Sequence, residues 1–269
     1  IAPVINYIHG EELSMKPVGL FGNWLFKTQN KSFSKVNLNL CVSSYTADKV
    51  KQISPQSKIS VLTNFVDVDS YYPSPNKQGL KVKYGLDGKV SIICVCRLIK
   101  RKGVDYLLKS LSALISDTSY EHEIVLNVCG SGAEFNYLVA LSDKLSISES
   151  VTFHGFTEEK KMLELVQASD IFAMPNKTID GDLEGFGLVF LEANACGLPV
   201  IGGRSGGVVD AIENNVSGYL IDPYSIVDIT KKLKLLIENP DLVKEIGLNG
   251  YNRAKDKFTL DRKRKEFES

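Results

Sequence analysis

Short apolar runs rich in β-branched residues alternate with stretches of helical period along this chain. The strand candidates are residues 38–43, 59–62, 90–96, 123–129, 151–153, 170–174, 199–202 and 219–221. Several of them, Ile92-Ile93-Cys94-Val95 for example, are apolar at successive positions and not at every second one. A strand that is apolar on both faces needs cover on both faces, which points to a parallel sheet wrapped by helices. Helical periodicity fits residues 45–53, 104–115, 133–145, 158–168, 188–195, 208–213, 226–238 and 241–258. The repeated strand–helix order therefore predicts an α/β fold, a doubly wound parallel sheet of Rossmann-like kind. Ligands of such sheets bind at the carboxyl ends of strands, where Gly130, Pro175 and Gly202 fall.

The segment 184–201 carries the chemistry. Glu184 and Glu192 stand eight residues apart, with Gly185 and Gly187 at the entry to a helix. The first N–H groups of a helix have no internal partner and attract an anion such as a diphosphate. Eight helical residues turn through about 800°, about 80° past two full turns, and span about 12 Å. The spacing predicts Glu184 just before the helix and Glu192 about two turns inside it, both facing one cleft. One carboxylate can hold hydroxyls on one side of a phosphate group and the other can hold those on the far side. A nucleotide sugar has that layout. Glycine at 185 and 187 lets the backbone approach a ligand closely.

The segment resembles the E-x7-E signature of retaining GT-B glycosyltransferases, in particular the large family of bacterial mannosyl-, glucosyl- and N-acetylglucosaminyl-transferases. The resemblance continues in Gly202-Gly203-Arg204-Ser205-Gly206-Gly207 and in Gly218-Tyr219-Leu220-Ile221-Asp222-Pro223. Upstream, Cys96-Arg97-Leu98-Ile99-Lys100-Arg101-Lys102-Gly103 is similar to the family's G-R-L-x-x-x-K-G element. Val128-Cys129-Gly130-Ser131-Gly132 and Val151-Thr152-Phe153-His154-Gly155-Phe156 occur between them in the family's order. The match covers nearly the whole chain.

The resemblance implies a GT-B carboxy-terminal domain with a partial amino-terminal domain. It assigns Glu184 to the hydroxyls of the transferred sugar and Glu192 to the donor ribose. The backbone amides of Phe186, Gly187 and Leu188 grip sugar and diphosphate. Arg97 and Lys102 clamp the diphosphate, while Lys100 and Arg101 carry the same charge without an assigned role. Gly130 and Ser131 belong to a donor loop, and Gly155 and Phe156 to the base pocket, with a core position for Phe156 as the alternative. His9, in His9-Gly10-Glu11, reaches the donor sugar across the cleft or is structural. The implied transfer is retaining, with front-face attack and the leaving diphosphate taking the acceptor proton, and it uses no metal or other cofactor. One departure is Cys96, where the family often has glycine, which narrows the approach to the phosphates. Gly130-Ser131-Gly132 does not complete a dinucleotide fingerprint, because Phe135 replaces its third glycine. Residues 176–183 are similar to the longer acidic loop of transferases that act on lipid-linked or polysaccharide acceptors.

Lys plus Arg equals Asp plus Glu at 32 each, so no global field recruits nucleic acid or an anionic membrane. The five cysteines show no metal-binding spacing and read as buried free thiols in a reducing compartment. Neither a membrane span nor a signal peptide is visible, and the basic run Arg262-Lys263-Arg264-Lys265 reads as a solvated helix end.

The chain starts at Ile1 in what reads as the middle of a domain. Residues 1–64 are then the tail of an incomplete acceptor-side domain, 65–250 the nucleotide-sugar donor domain and 251–269 a carboxy-terminal helix. The expected partners are a nucleotide sugar, UDP- or GDP-linked, and a glycan or lipid-linked acceptor in surface polysaccharide or glycolipid assembly. The expected place is the cytoplasm, at the inner face of the membrane through the missing domain. Two other readings stay open: a nucleotide-binding module without turnover, and another GT-B enzyme such as a sugar-nucleotide epimerase.

Overall fold

The structure is a computed structural model that describes residues 3–14, 28, 31–116 and 123–268. Two separate parallel sheets organise it. The first has three strands in the order β1 (Ile5–Ile8), β2 (Leu38–Cys41) and β3 (Ile59–Val61), with helix α1 (Glu11–Ser14) after β1 and α2 (Ser44–Ile53) after β2. Helix α3 (Lys77–Lys83) leads into the second sheet. That sheet has six strands, β4 (Val90–Val95), β5 (Ile124–Cys129), β6 (Val151–Gly155), β7 (Ile171–Met174), β8 (Val200–Gly203) and β9 (Gly218–Ile221). Their spatial order is β6-β5-β4-β7-β8-β9, and every pairing is parallel. The chain winds outward one way from β4 and the other way from β7, which is the doubly wound order, with its switch point between those two strands.

Helices α4 (Val104–Ile115), α5 (Phe135–Lys144), α6 (Glu159–Ala168), α7 (Leu188–Ala195), α8 (Val208–Ala211), α9 (Ile226–Ile237), α10 (Pro240–Lys257) and α11 (Leu260–Glu268) complete the fold. Ile92, Ile93, Cys94, Phe172, Ala173, Val200 and Ile201 are all buried, so the non-alternating runs are strands covered on both faces, as expected. Helix α7 buries Phe190, Leu191, Ala193, Asn194 and Ala195, and the Phe190 ring meets Phe172 of β7 edge-on at 5.5 Å. A helix that is apolar nearly all round lies inside the protein, and this one carries Glu192.

Strand β1 and helices α1 and α3 escape the sequence pattern, and the single carboxy-terminal helix expected over 251–269 is instead the end of α10 followed, after a break at residues 258–259, by α11. Strand β1 is mostly exposed and carries Asn6, so no doubly buried run marks it. Helix α3 buries no residue and holds Gly79. Helix α11 is dominated by charge, and Lys263 in its basic run is buried with its ammonium 4.9 Å from the Phe258 ring centroid. The run is therefore not wholly solvated: its alkyl stems cover apolar surface.

The two sheets are joined by a hydrogen-bonded latch. Ser43 caps α2 in a capping box with Thr46. The Asp210 carboxylate then accepts the Ser44 backbone N–H at 2.7 Å and the Ser44 hydroxyl at 2.8 Å. A carboxylate facing a helix amino terminus is favoured by both the free N–H groups and the helix dipole.

Candidate functional site

The loops that follow β4, β5 and β6 are stitched to one another by the backbone. Cys96 N–H donates to Cys129 O at 3.0 Å, Leu98 N–H to Ser131 O at 2.8 Å and Gly130 N–H to Gly155 O at 2.8 Å. This rigid rim encloses a cavity of about 330 Å³ lined by Cys96, Arg97, Gly130, Ser131, Phe156 and Val189. It opens at the carboxyl ends of the strands, beside the switch point, where ligands of such sheets bind. Arg97 is exposed and free to meet an anion there. Phe156 is 86% exposed, which rules out a core role and leaves a bare aromatic ring at the cavity mouth.

His154, two residues before Phe156, is not part of this lining. Its Nε2 donates to Asn127 Oδ1 at 2.8 Å, a tautomer that follows from the Asn127 amide donating to Ser91 Oγ at 3.2 Å. Burial, then the nearby Lys161, holds its pKa below the ordinary histidine range. Phe135, which spoils the dinucleotide fingerprint, packs edge-on against Phe153 at 5.9 Å.

Glu184 sits in the loop before α7 and is mostly buried. Arg101 Nη1 donates to its Oε2 at 2.9 Å, and the Lys102 ammonium hydrogen-bonds the same oxygen. The structure thus joins Glu184 to Lys102, two residues read as one site, and adds Arg101, to which the sequence reading gave no role. A three-residue 3₁₀ turn, Lys100–Lys102, makes this possible by turning Arg101 inward and leaving Lys100 exposed.

Arg101 Nε also lies 3.1 Å from Asp182 Oδ1, close enough for an ion pair but misaligned for a hydrogen bond. Asp182 closes a two-residue hairpin with Ile179, held by Ile179 N–H to Asp182 O at 3.0 Å and the reverse bond at 2.8 Å. Asp180 and Gly181 have φ of 55° and 87°, the left-handed pair that such a turn demands. The Asp-Gly dipeptide was the available signal for this hairpin.

Helix α7 begins at Leu188, so Glu192 is its fifth residue, just over one turn inside and not two, and Glu184 lies outside it. Gly187 supplies the helix cap at φ 86°, a left-handed conformation suited to glycine. The Glu192 carboxylate borders a crevice of about 10 Å³ that shares Val95, Met162 and Val189 with the larger cavity. Among the described residues it has no hydrogen-bond donor. Burial, then repulsion from Glu159, pushes its pKa from 4.5 up to about 7. A group perturbed this way beside a cleft is a functional candidate, because a fold built only for stability would not bury it unpartnered.

Gly185 has a different purpose from the one its position suggests. A Cβ built there would lie 1.8 Å from the His9 carbonyl oxygen and 3.7 Å from the Gly10 Cα. It is the first sheet, not a ligand, that comes close. This contact places the His9 turn against the Glu184 segment, with the His9 ring edge-on to Tyr7 at 4.6 Å. The Glu12 carboxylate accepts the Gly10 N–H at 2.9 Å and so fixes the turn. Gly185→Ala is expected to push the two segments apart and cost about 2 kcal/mol, the scale of a core overpacking. Denaturant unfolding checks this, and a midpoint equal to the wild type rejects the contact.

Phe186 is buried, its ring 6.1 Å from Phe258, while Leu188 is partly exposed at the helix start. A larger cavity of about 620 Å³ lies at the opposite end of the sheet, by Val90 and Ile171, far from these groups. Among the described residues no cluster of three or more His, Cys, Asp or Glu side chains is placed to hold a metal ion, and no helix is long and apolar enough to cross a membrane.

The family described as Glycosyl transferases group 1 matches residues 76–253. The GDP-mannose-dependent alpha-(1-6)-phosphatidylinositol monomannoside mannosyltransferase of Mycolicibacterium smegmatis is 30% identical over 224 residues, 81% of this chain and 57% of that protein. The D-inositol 3-phosphate glycosyltransferase of Gordonia bronchialis is 32% identical over 227 residues, 82% of this chain and 46% of that protein. The chain spans about half the length of these curated relatives. Among solved structures, Anabaena Alr3699/HepE in complex with UDP and glucose superposes with a TM-score of 0.83 at 22% identity, over 99% of this chain and 70% of that one.

Proposed function

The chain belongs to the glycosyl transferases group 1 family of GT-B fold, and from that premise we propose that it forms the donor side of a retaining transferase that takes a sugar from a nucleotide-diphosphate sugar. The observation that carries this reading is that Arg97 and Val189, at the start of α7, line one cavity beside the switch point, while the loop that enters α7 holds Glu184 against Lys102 and Arg101. The diphosphate lies at the α7 amino terminus, between Arg97 and Lys102. Breaking the glycosidic bond puts extra negative charge on it, so fixed cations there stabilise the transition state more than the ground state. Arginine suits this through its two parallel donors. Charge neutralisation by these side chains requires no metal.

Glu184 then receives hydroxyls of the sugar, and Glu192 receives the ribose hydroxyls deeper in the site. Phe156 offers its open face to the base, with Gly130, Ser131 and Gly155 forming the rim around it, and His9 closes the site from the first sheet. The acceptor hydroxyl attacks from the face the diphosphate leaves, and a diphosphate oxygen takes its proton. Guanine is the expected base and mannose the expected sugar, because the 30%-identical relative is named GDP-mannose-dependent. A lipid-linked acceptor fits the same relative's name, which is that of a phosphatidylinositol monomannoside mannosyltransferase, and such an acceptor is met at a membrane face. Residues 1–64 and 65–250 serve as acceptor-side tail and donor domain, and residues 251–269, the end of α10 together with α11, close the chain.

Calorimetric titration with GDP, UDP and ADP tests this. The expected result is a preference for GDP of at least about ten-fold, or about 1.4 kcal/mol, with binding lost in Glu192→Ala. Preference for UDP overturns the base assignment, and binding of none of the three overturns the donor site itself.

A further inference from the structure

Two cations share one oxygen of Glu184, although one is enough to neutralise it. They are unlike each other. Arg101 is only 6% exposed, its guanidinium lies between Glu184 and Asp182, and its carbonyl accepts the Lys177 N–H at 2.7 Å. Lys177 is itself buried and pinned by Asp105 at 3.0 Å. Arg101 is therefore locked to the loop that delivers Glu184 and has no open path to a ligand. Lys102 sits on a flexible four-carbon stem and holds Glu184 by a single point contact. The four charges of Arg101, Lys102, Asp182 and Glu184 sum to zero.

An arriving diphosphate is a stronger attractor for a mobile ammonium than one carboxylate already served by an arginine. Once Lys102 moves to it, Glu184 is left close to an anion, and a carboxylate with no other cation there is repelled from its place. We propose, resting on the reading of this rim as a donor site, that Arg101 is the positioning residue that keeps Glu184 in place while Lys102 exchanges from Glu184 to the donor's diphosphate. Arg101 touches neither nucleotide nor sugar and acts only through Glu184. Its duplicate hold on the Glu184 oxygen is what releases Lys102 for the phosphate.

The division of labour separates the two cations in a measurable way. Arg101→Gln, Arg101→Lys and Lys102→Gln are titrated with GDP and with GDP-mannose, and thermal midpoints are recorded for each. Arg101→Gln is expected to leave GDP affinity within about two-fold while weakening GDP-mannose by at least about ten-fold, since only the sugar depends on Glu184. Arg101→Lys keeps the charge and is expected to recover part of the GDP-mannose loss. Lys102→Gln is expected to weaken both ligands. If Arg101→Gln does not fold, the selective loss is read from Arg101→Lys alone, as a changed ratio of the two affinities.

Equal weakening of both ligands by the Arg101 variants, or a lowered midpoint with an unchanged ratio, reduces Arg101 to a structural strut and overturns the proposal. Absence of binding of GDP, UDP and ADP alike by the wild type overturns the donor-site reading and the proposal with it, and a wild type that takes UDP carries the same comparison over to UDP and UDP-glucose.

Discussion

Glu184→Gln is expected to reduce sugar transfer about 10³-fold, within the range seen when one preorganised polar group is removed from an active site. The amide keeps the shape and one acceptor oxygen for Arg101, but it loses the charge that holds both cations and that the proposed function assigns to the sugar hydroxyls. The comparison with Glu184→Ala separates chemistry from folding. Alanine leaves Arg101 buried beside Asp182 alone, and breaking a buried ion pair by removing one partner costs about 3–5 kcal/mol. Discounting for the remaining Asp182 contact at 3.1 Å puts the expected loss at the lower end. Glutamine should therefore give a folded, inactive enzyme and alanine an inactive one with a clearly lower unfolding midpoint. A folded Glu184→Gln that turns over at the wild-type rate removes Glu184 from the site.

This contrast also marks how far the sequence could be followed. The six-stranded sheet was legible because its strands are buried on both faces, which leaves an apolar run that nothing else produces so cleanly: Ile92, Ile93 and Cys94 are all fully buried. Strand β1 and helix α3 were not, since each buries too little to impose a period. The rim residues Arg97, Gly130, Ser131 and Phe156 were found by motif order and do line one cavity.

What the motif hid was the partner structure. The pattern x-x-x between Arg97 and Lys102 treats Arg101 as filler, and only a 3₁₀ turn, which has no hydrophobic signature, reveals that it faces Glu184. Gly185 shows the same limit from the other side. A glycine beside a catalytic carboxylate suggests room for a ligand, whereas the room is taken by the His9 carbonyl from a strand 176 positions away in number. Long-range backbone contact leaves no mark in a local sequence pattern. Glu192 was expected too deep in its helix because the helix was taken to start directly after Glu184, whereas residues 185–187 still precede it and absorb about half of the eight-residue count.

Glu192 carries the sharpest test of the link between stability and function. Its carboxyl is raised from 4.5 to about 7 by burial first and Glu159 second, with no hydrogen bond from the described residues to offset either. The folded chain thus holds this proton more tightly than the unfolded chain. The resulting contribution to stability is fully present below the unfolded pKa and is lost as the pH rises through about 7. At pH near 8 the charged, unpartnered carboxylate destabilises the empty protein by up to about 3 kcal/mol, taking about 1.4 kcal/mol for each pH unit between the two values.

Glu192→Gln removes that charge, so it is expected to raise the unfolding midpoint at pH near 8 by about 5–10 °C, at the usual few degrees per kcal/mol for a chain of this size. Near pH 5 the folded carboxyl is neutral while the unfolded one, with its ordinary pKa of 4.5, is mostly charged, so the advantage should shrink to about 1 kcal/mol and vanish only below about pH 4. The same substitution should weaken GDP by at least about ten-fold at pH 8, because ribose hydroxyls donate best to a charged acceptor. In the wild type, affinity should fall as the pH drops through about 7. A midpoint gain that persists unchanged at pH 5 would place its origin in packing and not in charge. A Glu192→Gln protein that binds GDP as well as the wild type at both pH values would show that this carboxylate is buried for some purpose other than the ribose.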